Sequence, residues 1–223
     1  MTRDEFNAIE AYMLECMSDA AHDPEHIYRV LGRALELAKD FESVDYDLLI
    51  TACLLHDIGR AEQFRDPSLS HAAVGAEKAA KWLAGRGYSD EFCERVRHCI
   101  RAHSFRTGGK TEVLEAQLLY DADKIEAAGM TAFVRTVAYN ALMDEPTYTL
   151  DEKGRIDRRE DAPESTVQEY HKKLRHVKEK FYTERAKEIA SRYNDILDRA
   201  VESLIAESEE AREGLKFVNE LLK

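Results

Sequence analysis

Leu54-Leu55-His56-Asp57-Ile58-Gly59 sets an imidazole beside a carboxylate at the point where an apolar run meets a glycine. Leu48, Ala52 and Leu55 recur at helical spacing ahead of the pair, and Gly59 behind it is a natural C-terminal stop. A helix of this kind delivers His56 and Asp57 to the rim of a core. A neutral imidazole and a carboxylate offer nitrogen and oxygen to a divalent cation, so the dipeptide is half of a candidate metal site. Taken alone, such a pair is more often the ordinary polar end of a helix.

Around that stretch, 223 residues with 44% hydrophobic side chains allow a substantial core in one large domain or two small ones. The formal net charge of -12 argues against a protein whose main task is to grip a nucleic-acid polymer by its phosphates. A local cluster of Lys, Arg and metal can still reverse the sign inside a cleft that takes a nucleotide. The N-terminus, Met1-Thr2-Arg3-Asp4-Glu5, lacks the apolar core of a signal peptide, and no stretch approaches the roughly 20 apolar residues of a membrane span. A cytoplasmic protein without a membrane partner is the expectation. Cys16, Cys53, Cys93 and Cys99 show no CxxC spacing and read as buried free thiols.

Phe6, Ile9, Met13 and Met17 predict an amphipathic helix over residues 4–20 whose methionines fill core. Asp23 as N-cap and Pro24 at the first helical position predict a second helix from Pro24 to Phe41, with His26 in its first turn and Arg29 one step on. Asp45 starts a third helix that ends at His56-Asp57, and Arg60 to Leu69, which contains Glu62 and Pro67, reads as a loop or short turn. Ser70 caps a fourth helix with His71 at its head, where Ala72, Ala73, Gly75 and Ala76 are small enough for close helix approach. Ser89 begins a fifth helix that ends near His103; the loop Phe105 to Lys110, with Arg106, is a basic segment able to meet an anion.

A sixth helix from about Glu112 carries Asp121 and Asp123, which lie about 200 degrees apart around the axis, so only one of them can face a given ion directly. The stripe Leu114, Leu118, Asp121, Ile125 favours Asp121 as the inward carboxylate. Residues 132–142 continue in helical pattern. The polar stretch 144–165 reads as an exposed excursion, and 166–223 as long charged C-terminal helices packed on the rest. With no alternating strand pattern and no internal repeat, the fold class expected is all-α, a single helical domain over 1–223 with its core about 20–143.

In chain order the candidates are His26, His56-Asp57, His71, His103 and Asp123. Together with His22-Asp23-x-x-His26-x-x-Arg29, His71-x-x-x-Gly75, Ala102-His103-Ser104-Phe105 and Asp121-Ala122-Asp123-Lys124, this order resembles the HD-domain superfamily of metal-dependent phosphohydrolases, and within it the small bacterial HD hydrolases. The resemblance implies a single HD-type helical bundle. It makes His26, His56, Asp57 and Asp123 the ligands of one divalent ion (Mn, Mg, Fe, Co, Ni or Zn) and prefers Asp123, which precedes Lys124, against the helical stripe. It gives His71 and His103 either a second ion or the substrate phosphate.

The implied chemistry is hydrolysis of a phosphate ester or pyrophosphate bond in a small molecule such as a nucleotide, by a metal-activated water. Lys124, Arg29 and Arg106 would neutralise phosphate charge, and His71, His103 or Glu62 would handle protons. The resemblance also admits a di-iron oxygenase with the same six ligands, or a metal-stabilised regulatory module without turnover. It leaves monomer and homodimer both open.

Overall fold

Three short side chains set the helix starts around the site. Asp45 accepts from Leu48 N, Ser70 from Ala73 N and Ser89 from Phe92 N, each satisfying a backbone donor that the first turn leaves without a partner. In the computed structural model, which describes residues 1–17, 24–104, 110–179 and 181–222, the chain is all-helical. Among those residues the nearest thing to a sheet is an isolated antiparallel bridge between Leu150 and Ile156. The chain forms two compact units: Met1–Lys124 with Phe181–Ala186, and Ile125–Lys180 with Lys187–Lys223. No described helix is long and apolar enough to cross a membrane.

The first unit contains α1 (Arg3–Cys16), α2 (Pro24–Ala38), α3 (Tyr46–Leu55), α4 (Arg60–Arg65), α5 (His71–Ala84), α6 (Asp90–Ala102) and nearly all of α7 (Leu114–Ile125). Thr2 and Glu5 close a reciprocal capping box at the head of α1. Along α3 every residue from Leu48 to Leu55 except Ile50 is buried, and Ile58 just beyond it is buried too. Each such aliphatic side chain contributes about 1.5–3 kcal/mol by leaving water, so the helix carrying the His-Asp pair is among the best anchored in the chain.

Two expectations change, and two fall outside the described residues. The second helix stops at Ala38 rather than Phe41. Asp23, expected as its cap, lies outside the described residues, as does Arg106 in the expected basic loop. The stretch after the His-Asp pair is a helix, not a loop, over Arg60–Arg65. Arg60, Ala61, Glu62, Gln63 and Arg65 are all good helix formers, and the turn signal of Pro67 acts only on the residues beyond them.

Gly59 joins α3 to α4 at a φ of -96°, ordinary for any residue. Its smallness serves close approach instead. A Cβ there would lie 2.2 Å from the His71 carbonyl oxygen and 2.6 Å from Gly75 N. The main chain after Asp57 thus presses directly on the first turns of α5, which brings His71 beside the His-Asp pair.

The second unit contains α8 (Gly129–Leu142), α9 (Thr166–Lys172), a 3-10 turn (Leu174–Glu179), the greater part of α10 (Glu184–Glu213), a 3-10 turn (Gly214–Phe217) and α11 (Val218–Leu221). Its core gathers Ile156, Val167, Tyr170, Leu174, Leu197, Val201 and Ile205. Within 144–165, the polar stretch read as an excursion, Ile156, Asp157, Ala162 and Ser165 are buried. Gly129 has φ +72°, and an added Cβ would stand 3.0 Å from Tyr193 Cβ, so both conformation and space call for glycine.

Candidate metal centre

Five side chains that are scattered in sequence gather around one carboxylate, Asp57, inside the first unit. Asp57 Oδ2 lies 3.6 Å from His26 Nε2 and 3.6 Å from His56 Nε2. Asp123 Oδ1 completes this side, 3.3 Å from His26 Nε2 and 4.0 Å from His56 Nε2. The other oxygen, Asp57 Oδ1, faces His71 Nε2 at 3.6 Å and His103 Nε2 at 3.7 Å. Those two imidazole nitrogens are 3.3 Å from each other. One carboxylate therefore has two faces, each lined by a pair of imidazoles.

The elements explain the convergence. His26 comes from the first turn of α2, His56 and Asp57 from the end of α3, His71 from the head of α5, His103 from the C-cap of α6 and Asp123 from the last turn of α7. All sit at or near helix ends, where a side chain can leave its own helix and reach a common centre.

The imidazoles are oriented from behind. His56 Nδ1 donates to the Cys53 carbonyl at 2.8 Å, His103 Nδ1 to the Ile100 carbonyl, and His71 Nδ1 to Gln63 Oε1 at 2.9 Å. An acceptor at Nδ1 fixes the hydrogen there and leaves the Nε2 lone pair pointing into the centre, the arrangement a metal needs.

Burial holds the His56 imidazolium down to about 4, against the pull of Asp57. Burial and, next, the Arg60 charge hold His71 down to about 3. Both rings are neutral bases at pH 7. Burial pushes the Asp57 carboxyl upward, but Arg60 and the imidazoles outweigh it and keep the group well below the carboxylate range. For Asp123 the same contest is won by Lys124 and His26. The neutral rings of His56 and His71 beside the ionised Asp57 and Asp123 form an electron-rich pocket.

That pocket fits a divalent ion. His56 Nε2 is buried with no hydrogen-bond partner among the described residues, and a lone pair left so in a core normally costs about 1–3 kcal/mol. The donor atoms of His26, His56 and Asp123 lie within 4.8 Å of one another, as do those of His56, Asp57 and His103. Mixed nitrogen and oxygen donors suit Mn, Fe, Co, Ni or Zn better than an all-oxygen ion such as Ca.

Asp121 and Asp123 turn out to be buried on different sides of α7. Asp121 accepts from Tyr182 N at 2.8 Å, from Thr183 N at 2.7 Å and from Thr183 Oγ1 at 2.8 Å, so it ties down the backbone that leads into α10. The helical stripe was right that Asp121 faces inward. It faces other amides.

The remaining expected residues lie around this centre. Lys124 Nζ is 2.7 Å from Asp123 Oδ2 and partly exposed at the rim. Arg29 is half-buried on α2, one turn after His26. Glu62 pairs with Lys78 at 2.8 Å, and the same ammonium donates to the Ile58 carbonyl, which braces the turn after Asp57. Two contributors went unnoticed in the sequence, Gln63 and Arg60. Arg60 Nε stands 3.0 Å from Asp57 Oδ1. Both sit on α4, where a helical reading would have turned residues three apart toward one neighbour.

Residues 25–128 match the family model described as HD domain. Among solved structures, a Bacillus thuringiensis protein described as an HD-superfamily hydrolase is 24% identical, with 93% of this chain and 98% of that one covered and a TM-score of 0.70. A predicted HD superfamily hydrolase from an uncultured Thermotogales bacterium is 27% identical over 92% of each chain, with a TM-score of 0.57. Bacillus subtilis YpgQ in complex with ADP is 22% identical, covering 89% of this chain and 95% of that one, with a TM-score of 0.66. No curated protein matches.

Proposed function

We propose that this chain, whose residues 25–128 match the HD domain model, is a metal-dependent phosphohydrolase acting on a small phosphorylated compound, a nucleotide in the first instance. The single observation that carries the reading is the meeting of His26, His56, Asp57 and Asp123 around a buried pocket in which His56 Nε2 has no hydrogen-bond partner among the described residues.

These four side chains would hold one divalent ion. When bound, such an ion supplies a water of lowered pKa and polarises a phosphoryl oxygen. The chain's own groups do the rest. Cys53 and Ile100 carbonyls and the Gln63 amide keep the imidazole lone pairs aimed inward. Lys124 brings positive charge to Asp123, where a phosphate entering from the rim would meet it, and Arg29, three residues after His26 on α2, would add to it. The neutral state of His71 favours a ligand or hydrogen-bonding role over proton donation. Glu62, committed to Lys78, acts by bracing the turn rather than at the phosphorus.

The ADP held by the structurally similar YpgQ supports a nucleoside polyphosphate as the first substrate class to try. The test is metal-free protein reloaded in turn with Mn, Mg, Fe, Co, Ni or Zn and offered nucleoside mono-, di- and triphosphates and simple phosphate monoesters, with Asp57→Ala alongside. Metal-dependent release of phosphate or pyrophosphate that Asp57→Ala abolishes is expected. Turnover that survives Asp57→Ala, or none with any metal, overturns the reading.

A further inference from the structure

The two faces of the Asp57 carboxylate differ in one respect that the histidines do not explain. On the Oδ2 face the neighbours are the imidazoles of His26 and His56 and a second carboxylate, Asp123. On the Oδ1 face the nearest group is a cation: Arg60 Nε at 3.0 Å, closer than His71 Nε2 at 3.6 Å or His103 Nε2 at 3.7 Å. Yet the rest of that face has the form of a second ion site. The Nε2 lone pairs of His71 and His103 point at each other across 3.3 Å, and each ring has its hydrogen committed at Nδ1. Two nitrogens bound at about 2.0–2.1 Å to one tetrahedral ion lie roughly that far apart.

Resting on the metal-hydrolase reading above, we propose that Arg60 is a resident cation competing with a second metal ion for Asp57 Oδ1, so that the centre holds one ion tightly and a second one weakly. The competition arises from charge and position. A guanidinium always carries its proton, so it cannot step aside by titrating and must move. It has somewhere to go: the Arg60 side chain is 39% exposed while the Asp57 side chain it contacts is 4% exposed. A dication arriving between His71, His103 and Asp57 must push that side chain toward solvent or endure a like charge within a few ångströms. Among the described residues no cation sits on Asp57 Oδ2; the nearby ammonium of Lys124 lies on the outer oxygen of Asp123, Oδ2, and leaves Oδ1 to the ion, so that ion meets less opposition. The position of Arg60, first in α4 and three residues after Asp57, sets which oxygen it reaches.

The test is a Mn(II) titration of the metal-free full-length protein, reading free Mn(II) by its EPR signal so that no catalytic assay is involved. The wild type is expected to show one tight ion and a second at least about 10-fold weaker. Arg60→Gln should tighten the second ion about 10- to 100-fold and leave the first within about threefold, since it removes one full charge from one face only. Arg60→Lys, which keeps the charge, should stay near the wild type. His71→Ala added to Arg60→Gln should abolish the second class of site, which ties that ion to this face. Two equal tight ions in the wild type, or an unchanged second affinity in Arg60→Gln, overturns the competition while leaving the hydrolase reading intact. A wild type that binds no Mn(II) also overturns the competition as stated, while the hydrolase reading is then decided by the screen of all six metals.

Discussion

Two carboxylates on one helix, two residues apart, have opposite fates. Asp121, 0% exposed, is satisfied by two backbone N–H groups and a hydroxyl from Tyr182 and Thr183. Asp123, 8% exposed, faces His26, His56 and the ammonium of Lys124. Burial is nearly the same for both. The partners differ: fixed backbone and hydroxyl donors meet Asp121, whereas Asp123 turns one oxygen to Lys124 and the other to the ring nitrogens of His26 and His56. The first arrangement is finished without a ligand and the second is not.

The sharpest way to break this contrast is to exchange each carboxylate for its amide. Asp123→Asn should weaken Mn(II) binding by more than about 100-fold, because a neutral oxygen replaces an anionic ligand. Asp121→Asn sets an amide NH2 against backbone donors and should cost about 3 kcal/mol in urea unfolding, with Mn(II) affinity unchanged within about threefold. If Asp121→Asn loses the metal and Asp123→Asn keeps it, the assignment of the two faces is reversed.

Gly59→Ala tests the packing beneath the centre. Its Cβ would collide with backbone at the head of α5, where no side chain can swing away, so a loss of about 3 kcal/mol is expected by thermal or urea unfolding. A variant as stable as the wild type would mean that α5 can withdraw from the turn after Asp57.

The pH dependence sharpens the contrast on the metal side. His56 folds with its pKa at about 4, below the ordinary 6.5, so the unfolded chain binds more protons between these values. Its contribution is therefore complete above about pH 6.5 and lost as pH falls toward 4, on the order of 2–3 kcal/mol from this ring alone. His71, held lower still, acts in the same direction. Urea unfolding of the metal-free protein at about pH 7 and about pH 4.5 reads the drop, and a flat profile would contradict neutral buried imidazoles.

The smallest effect is expected from Gln63→Leu. Loss of the Nδ1 acceptor leaves the His71 ring free to turn, and support of this kind behind a ligand is worth about 10-fold or somewhat more in affinity. It should fall on the second, weaker Mn(II) and spare the first.

Much of the site was legible because its parts are local. His71 and the His56-Asp57 pair lie near helix ends that a short polar cap, Ser70, and a glycine, Gly59, announce. The family resemblance then selected Asp123, which periodicity alone did not. Arg60 and Gln63 were missed for a definite reason: with α4 read as a loop, no face could be assigned to either.

From the sequence alone came the all-helical class, the helix starts at Asp45, Ser70 and Ser89, and the roster of imidazoles and carboxylates, since these depend on spacing and cap chemistry within a few residues. Which oxygen of Asp57 meets which imidazole, and that Asp121 belongs to the backbone of Tyr182 and Thr183, was decided only by the tertiary structure. Such pairings depend on how closely helices approach, and at Gly59 and Gly75 that closeness comes from the absence of a side chain, a cause no local pattern displays.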